Sequence, residues 1–533
     1  MTSSNFIFNG QKKEFLDWLE SLKISKYWLD TLSIEDSYAL SKEILEVLEN
    51  FEQLELTPKE KLFTLIEIYT CLKGLCVKLQ ESYIKSQFPL ADQDQEYADL
   101  ISNAYMALAK SYYEIINADS VVKLSKKHIA LTICRGFQAL NNALVNYSEI
   151  YKSLPNEFWP LYYRLYSNAE IFTVMNVKVK MDEGVFSIAL LLKKVLILYI
   201  IDTNQLTPRE IREIDNYAIK IAQYVDLKKE SMEELNRGVG FYFEKDIQPE
   251  ILKPETTKPS QSLRFINIVY IIKVIQFLIY EETENKHKHP VNIELLKYVI
   301  KGVIEKQQDK SQAQIHKKYS CYALIGIYNI IDFLLEKEDK METERHRIEK
   351  ADFKHKDKEE DEIDSLQLML DWDENKVDSE VQQSSSLIKN LQIIGSSIEG
   401  YQLFWEQQSG IELQIGQVIG IIPDFRTSRN RLEIGLIRRI TIREDGIIFN
   451  VELLGLESTL IQIEKEDSFE ASEWELFLFG SPKYDVSILY NREHEYQVGE
   501  DISVLLRNKK ISCKLGNILN STPLVNHITL SYL

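Results

Sequence analysis

Six arginines crowd the stretch from position 426 to position 443: Arg426, Arg429, Arg431, Arg438, Arg439 and Arg443. A guanidinium is a flat fork of donors that matches two oxygens of a phosphate or carboxylate and lies well against an aromatic or purine face. Arg426, Arg429 and Arg431 lie on or beside Asp424–Asn430, which reads as a loop, where ligand contacts concentrate. Arg438 and Arg439 sit on an expected strand, with Glu433 and Glu452 nearby. Three readings stay open for the cluster. It can be a phosphate or nucleotide site, a patch for an acidic protein partner, or a set of ordinary ion pairs along a strand.

Other chemistry is sparse. The chain contains no phosphate-cradling G-x-x-x-x-G-K-[ST], no G-x-G-x-x-G after a strand, no H-E-x-x-H and no G-x-S-x-G elbow. His287 and His289 stand among Lys286 and Lys288, whose charge opposes a metal cation. The five cysteines, Cys71, Cys76, Cys134, Cys321 and Cys513, are scattered through apolar segments without the close pairing zinc needs. They read as core thiols of a reducing compartment. No catalytic residue, metal ligand or cofactor site is expected.

At 533 residues the chain is too long for one core, and 44% apolar content supports well-filled interiors. The net charge of -19 argues against a broad nucleic-acid footprint and against adsorption to anionic lipid. Two greasy segments, 185–201 and 263–280, carry Lys193 and Lys194, and Arg264 and Lys273, so they read as buried helices rather than membrane spans. Met1–Lys13 has no leader pattern, and a cytoplasmic location is expected.

The elements that must carry these residues change character along the chain. Residues 1–337 read as helix nearly throughout, an all-α array of superhelical type. Thr57-Pro58-Lys59-Glu60 and Thr207-Pro208-Arg209-Glu210 each place a hydroxyl cap, a first-turn proline and a glutamate that reaches back. Leu62, Leu65, Ile66, Tyr69, Leu72 and Cys76 follow as one stripe. Helices are expected over 183–201, 261–282 and 312–336, among others. Trp159, Tyr162, Tyr163 and Tyr166 fall at helical spacing and read as core rather than as a groove. No repeat period emerges. Residues 338–386 are an acidic mixed-charge stretch that reads as a linker, in which Leu366–Trp372 is the one apolar run.

From 387 to 533 the period becomes two. Ile434, Leu436, Arg438, Ile440 and Ile442 are expected to share one strand face, Asp445-Gly446 to turn, and Ile447, Phe449, Val451 and Leu453 to return. Val486, Ile488 and Tyr490, then Ile502, Val504 and Leu506, predict further strands. These form either an extension of the barrel or a second small sheet.

The order of these pieces resembles a PilZ domain. The resemblance rests on Gly395-Ser396-Ser397-Ile398-Glu399-Gly400, on Val418-Ile419-Gly420, on the Arg438-Arg439 strand and on Val451-Glu452-Leu453-Leu454. It implies an antiparallel β-barrel and, for many members, binding of cyclic di-GMP. Ser397 and Gly400 match the family's [D/N]-x-S-x-x-G signature, with Gly395 where the acceptor side chain belongs. The R-x-x-x-R clamp has no counterpart, because no arginine lies between Arg347 and Arg426. The layout also looks like a group of large proteobacterial proteins with a helical front half and a divergent PilZ-like end.

The sequence therefore predicts a multidomain α + β protein. Its function is read as a non-enzymatic bacterial scaffold or adaptor that holds a protein partner through the helical array. The alternative is a cyclic di-GMP receptor with an altered site built from Ser397, Gly400, Arg426, Arg429, Arg431, Arg438 and Arg439.

Overall fold

A computed structural model describes residues 12–25, 31–84, 86–229, 238–252, 260–285, 292–307, 319–352, 388–406, 412–423, 432–464, 474–480 and 486–532, save 493, 495, 507, 508 and 523. The chain is multidomain α + β. It divides between Ser311 and Gln312 into a helical unit and a unit built on antiparallel barrels.

The helical unit opens with α1 (Lys12–Ser25), α2 (Ile34–Glu49), α3 (Pro58–Tyr83), α4 (Asp92–Asn117), α5 (Lys126–Glu149) and α6 (Phe158–Ile171). Helix α3 starts where its capping box predicts. Thr57 Oγ1 accepts from the Glu60 amide at 3.3 Å, and Glu60 accepts from the Thr57 amide at 2.7 Å. Of the predicted stripe, Leu62, Leu65, Tyr69, Leu72 and Cys76 are buried, and Ile66 is half-buried. Helix α5 is buried over almost its whole circumference, from Ile129 to Glu149.

A short hairpin, β1 (Val179–Met181) with β2 (Gly184–Phe186), precedes α7 (Ile188–Ile201) and α8 (Pro208–Tyr224). The second capping box starts α8, with the Thr207 amide donating to Glu210 at 2.8 Å.

The expectation of near-continuous helix fails in the next segment. β3 (Lys228–Lys229), β4 (Gly238–Tyr242), β5 (Glu250–Ile251) and β6 (Leu263–Asn267) form a four-stranded sheet in the order β3-β6-β4-β5. The helix predicted from 261 therefore begins only at α9 (Ile268–Asn285), and α10 (Ile293–Gln307) follows. Residues 263–267 are nearly all buried, so they carry no alternation to separate strand from helix. Arg264, 4% exposed, ties this sheet to α6 by ion pairing with Glu170 at 2.9 Å and by bonding the Tyr166 hydroxyl.

The second unit starts before the expected boundary at 337. β7 (Tyr319–Ile325) and α11 (Ile327–Asp352) belong to it, and α11 runs past the predicted start of the linker. Leu366–Trp372 and the rest of 353–387 lie outside the described residues. Then come β8 (Ile388–Ser397), β9 (Gly400–Trp405), β10 (Val418–Pro423), β11 (Glu433–Arg443) and β12 (Gly446–Gly455). With β7 they close a barrel in the order β10-β11-β12-β9-β8-β7.

The predicted hairpin is β11–β12, with Arg443 opposite Gly446. Gly446 has φ +147°, and a Cβ there would meet the Trp405 carbonyl oxygen at 2.3 Å, so the turn admits only glycine. The single face predicted for β11 is not kept. The register shifts between Ile437 and Arg439, and one inserted residue moves all later side chains to the opposite parity.

The tail forms a second closed barrel from β13 (Glu457–Glu464), β14 (Trp474–Phe479), β15 (Val486–Asn491), β16 (Asp501–Leu506), β17 (Lys509–Ser521) and β18 (Val525–Tyr532). Its core holds Ile488, Tyr490, Ile502 and Val504 as the alternation predicts, with Val486 and Leu506 packed on them. A third core joins Ile330 and Leu334 of α11 to Leu436 of the first barrel and to Leu460, Leu476 and Leu489 of the second.

Because β7 pairs with both β8 and β10, a fragment starting at 387 lacks one stave and exposes two strand edges. Fragment 312–533 is expected to unfold in one cooperative thermal transition. Fragment 387–533 is expected to aggregate or to show no transition, as read by circular dichroism and light scattering.

Candidate functional site

Of the barrel residues singled out from the sequence, Ser397, Gly400 and Arg438 make contacts within the fold. Ser397 and Gly400 face each other across the β8–β9 turn. The Ser397 hydroxyl accepts from the Glu399 amide at 3.2 Å and donates to the Gly400 carbonyl at 3.4 Å. Gly400 lies against β12 so closely that a Cβ would sit 1.8 Å from the Val451 carbonyl oxygen. The serine and glycine thus satisfy a tight turn and a close strand approach, and Gly395 lies at a register shift in the same pair of strands.

Arg438 is the residue inserted at the β11 bulge. Its Nε donates to Glu452 at 2.7 Å and its Nη2 to Asn520 Oδ1 of β17 at 2.6 Å. The pairing with Glu452 is the strand ion pair that the sequence allowed. Glu433 accepts from the Tyr401 hydroxyl at 2.8 Å. Arg439 also has interactions of its own on β11. Arg426, Arg429 and Arg431 lie outside the described residues, as do His287 and His289.

Behind Arg438 runs a polar seam between the two barrels. Arg438 fixes the Asn520 amide oxygen, so the amide nitrogen points at His527 Nδ1, 3.3 Å away. The neutral imidazole then carries its proton on Nε2 and donates to Ser487 Oγ at 2.8 Å. Serine, histidine and asparagine in a row resemble a nucleophile, base and orienting group. Here the histidine gives its hydrogen bond to the serine instead of drawing a proton from it. Both Ser487 and His527 are 1% exposed.

The helical unit carries the denser polar chemistry, on α5. Glu149, 1% exposed, accepts from Arg212 Nε at 2.5 Å. Burial raises its carboxyl above the usual range, and Arg212 opposes that. Asn146 donates to the Ala98 carbonyl at 2.9 Å and accepts from the Tyr83 hydroxyl at 3.0 Å. Asn141 donates to Asp215 at 2.9 Å, and Lys194 pairs with the same carboxylate at 2.7 Å.

About two and a half turns into α5, Arg135 is 3% exposed. It lies 5.0 Å from the centre of the Tyr69 ring and donates from Nη1 to Gln138 at 2.8 Å and from Nη2 to Asp182 at 3.0 Å. The adjacent Glu183 pairs with Lys73 at 2.6 Å and accepts from Gln138 at 2.9 Å. Asp182 and Glu183 form the tip of the β1–β2 hairpin. Sequence reasoning missed this group. Its one local signal was a lone arginine inside the apolar run Ile129–Leu140.

Trp159, Tyr162, Tyr163 and Tyr166 are core, as expected: all are buried, and Tyr162 and Tyr163 donate to the Leu192 and Ile247 carbonyls at 3.0 and 2.6 Å. All five cysteines are buried and none is in a disulfide, and burial pushes the Cys76 and Cys134 thiols up to about 12. Among the described residues no group of three or more metal-ligating side chains occurs, and no helix is long and apolar enough to cross a membrane.

The seam titrates in an accessible range. Burial drives His527 from 6.5 down to about 4, with Glu452 opposing and Arg438 adding to the effect. Below 6.5 the unfolded chain takes up a proton that the folded chain refuses until about pH 4, so stability rises with pH across that window. The second unit is expected to lose about 2 kcal/mol between pH 7 and pH 5. Urea denaturation at the two pH values measures this, and His527→Gln should flatten the difference.

In a comparison with protein families, residues 23–231 match the model described as "Cyclic-di-GMP receptor FimW, N-terminal domain". No curated protein and no solved structure matches the chain.

Proposed function

We propose that this protein is a cyclic di-GMP receptor whose ligand contacts differ from the arginine clamp of the usual PilZ site. The observation that carries the reading is the family match over residues 23–231, which covers helices α2 to α8 of the helical unit. Two closed six-stranded barrels follow in the same chain, an arrangement compatible with a PilZ-like receptor. The likeness to a receptor thus arises in both units, from unrelated sets of residues. That favours the nucleotide reading over a scaffold that merely holds a protein partner, for which no comparable observation exists.

Cyclic di-GMP carries two phosphates and two guanine rings, so its receptor needs cations and flat apolar faces that are not fully committed elsewhere. Arg438 is committed to Glu452 and Asn520. Ser397 is committed to its own turn. The reading involves no bond-making chemistry and keeps the cytoplasmic location expected from the sequence.

Calorimetry with cyclic di-GMP and the full chain tests it. Saturable heat at a fixed molar ratio is expected, and no heat at high micromolar ligand would overturn the reading. Ser397→Ala should leave the affinity within about twofold, because its hydroxyl serves the turn and a single neutral hydrogen bond has a modest net worth.

A further inference from the structure

The group around Arg135 combines three observations. First, the guanidinium edge is half used. A carboxylate that meets an arginine side-on can close on Nε and Nη2 together. Asp182 takes Nη2 alone, and Arg135 Nε has no hydrogen-bond partner. Second, the Tyr112 hydroxyl is also buried without a partner. Tyr112 packs beside the same turn of α5, since a Cβ built on Gly136 would lie 3.7 Å from Tyr112 Cβ. The Arg135 charge acts on its phenol, which burial raises. Third, the negative charge that reaches this place comes from an exposed hairpin tip. Asp182 is 64% exposed, and Glu183 meets Lys73, itself half exposed.

A buried guanidinium N–H and a buried hydroxyl, both unpaired, cost on the order of 1–3 kcal/mol each. A carboxylate offers two oxygens in one plane and fits one edge of this group. A phosphate offers oxygens in a tetrahedron, enough to meet Arg135 Nε, Arg135 Nη2 and Lys73 Nζ together. The buried ring of Tyr69, its centre 5.0 Å from the guanidinium, backs the cation.

We propose that Arg135 and Lys73 form a binding site for a nucleotide phosphate, and that the Asp182–Glu183 hairpin tip occupies it as an internal stand-in until the phosphate displaces it. The identity of the phosphate as that of cyclic di-GMP rests on the receptor reading. The site itself rests on the geometry of the helical unit.

The test uses the full chain, with cyclic di-GMP and inorganic phosphate as separate calorimetric probes. Neutralising the tip by Asp182→Asn with Glu183→Gln removes two partly exposed ion pairs that compete with the ligand. It should tighten cyclic di-GMP binding roughly tenfold. Lys73→Ala, at a half-exposed position that folding tolerates, should weaken it several-fold. Arg135→Lys, which keeps the charge and loses the fork, should weaken it at least about tenfold, with thermal unfolding as the check that the chain is folded.

Wild-type binding that neither the tip variant nor Lys73→Ala alters overturns this site and leaves the receptor reading standing. Binding of inorganic phosphate by the tip variant, with no uptake of cyclic di-GMP by either form, supports the site and overturns the receptor reading. Uptake of neither probe by the tip variant overturns the site.

Discussion

Helix α5 is enclosed on nearly every side, and this enclosure governs the helical unit. A polar group on such a helix cannot turn to water, so each one needs a partner on a neighbouring element. Arg135 is matched by the β1–β2 hairpin, Asn146 by α3 and α4, and Glu149 by Arg212 of α8. Apolar packing alone would allow these helices to slide past one another. The side-chain pairs from α5 fix which turn of each neighbour lies against which turn of the centre. The buried pairs add little net stability after desolvation, and their effect is mainly on register.

Much of the architecture was legible in the residues, and the misses have a common physical cause. Capping boxes are local, so Thr57 and Thr207 mark helix starts without any knowledge of the fold. The β11–β12 hairpin is also local, since its turn and its two alternating arms adjoin in sequence. By contrast β6 and β7 are short apolar runs set directly before helices, and local pattern cannot separate them from a helical first turn. Only pairing with distant strands identifies them: β6 with β4, and β7 with β8 and β10. The second barrel was visible as alternating strands, but its closure depends on β13 meeting β16, a contact between segments far apart in the chain.

The candidate site was less legible than the fold, again for particular reasons. The Ser397 and Gly400 match is real as sequence, but a serine at a turn and a glycine at a strand crossing arise from backbone geometry alone. The pairing of Arg438 with Glu452 could be read from the sequence, but Asn520, its second partner, lies 82 residues further on and could not. Arg135 looked unremarkable because its significance lies in the acids of a hairpin tip 47 residues away. Charged groups take their meaning from what faces them, and sequence spacing seldom records that.

The core beneath α11 has a consequence for how the two barrels behave. Ile330 and Leu334 pack into one apolar interior with Leu436 from one barrel and with Leu460 and Leu489 from the other. Neither barrel can loosen its α11-facing wall without stripping cover from the other, so the pair makes one foldon with a shared opening free energy. A ligand or partner that stiffens either barrel must therefore slow amide exchange in both, and the helix serves as the thermodynamic hinge pin between them.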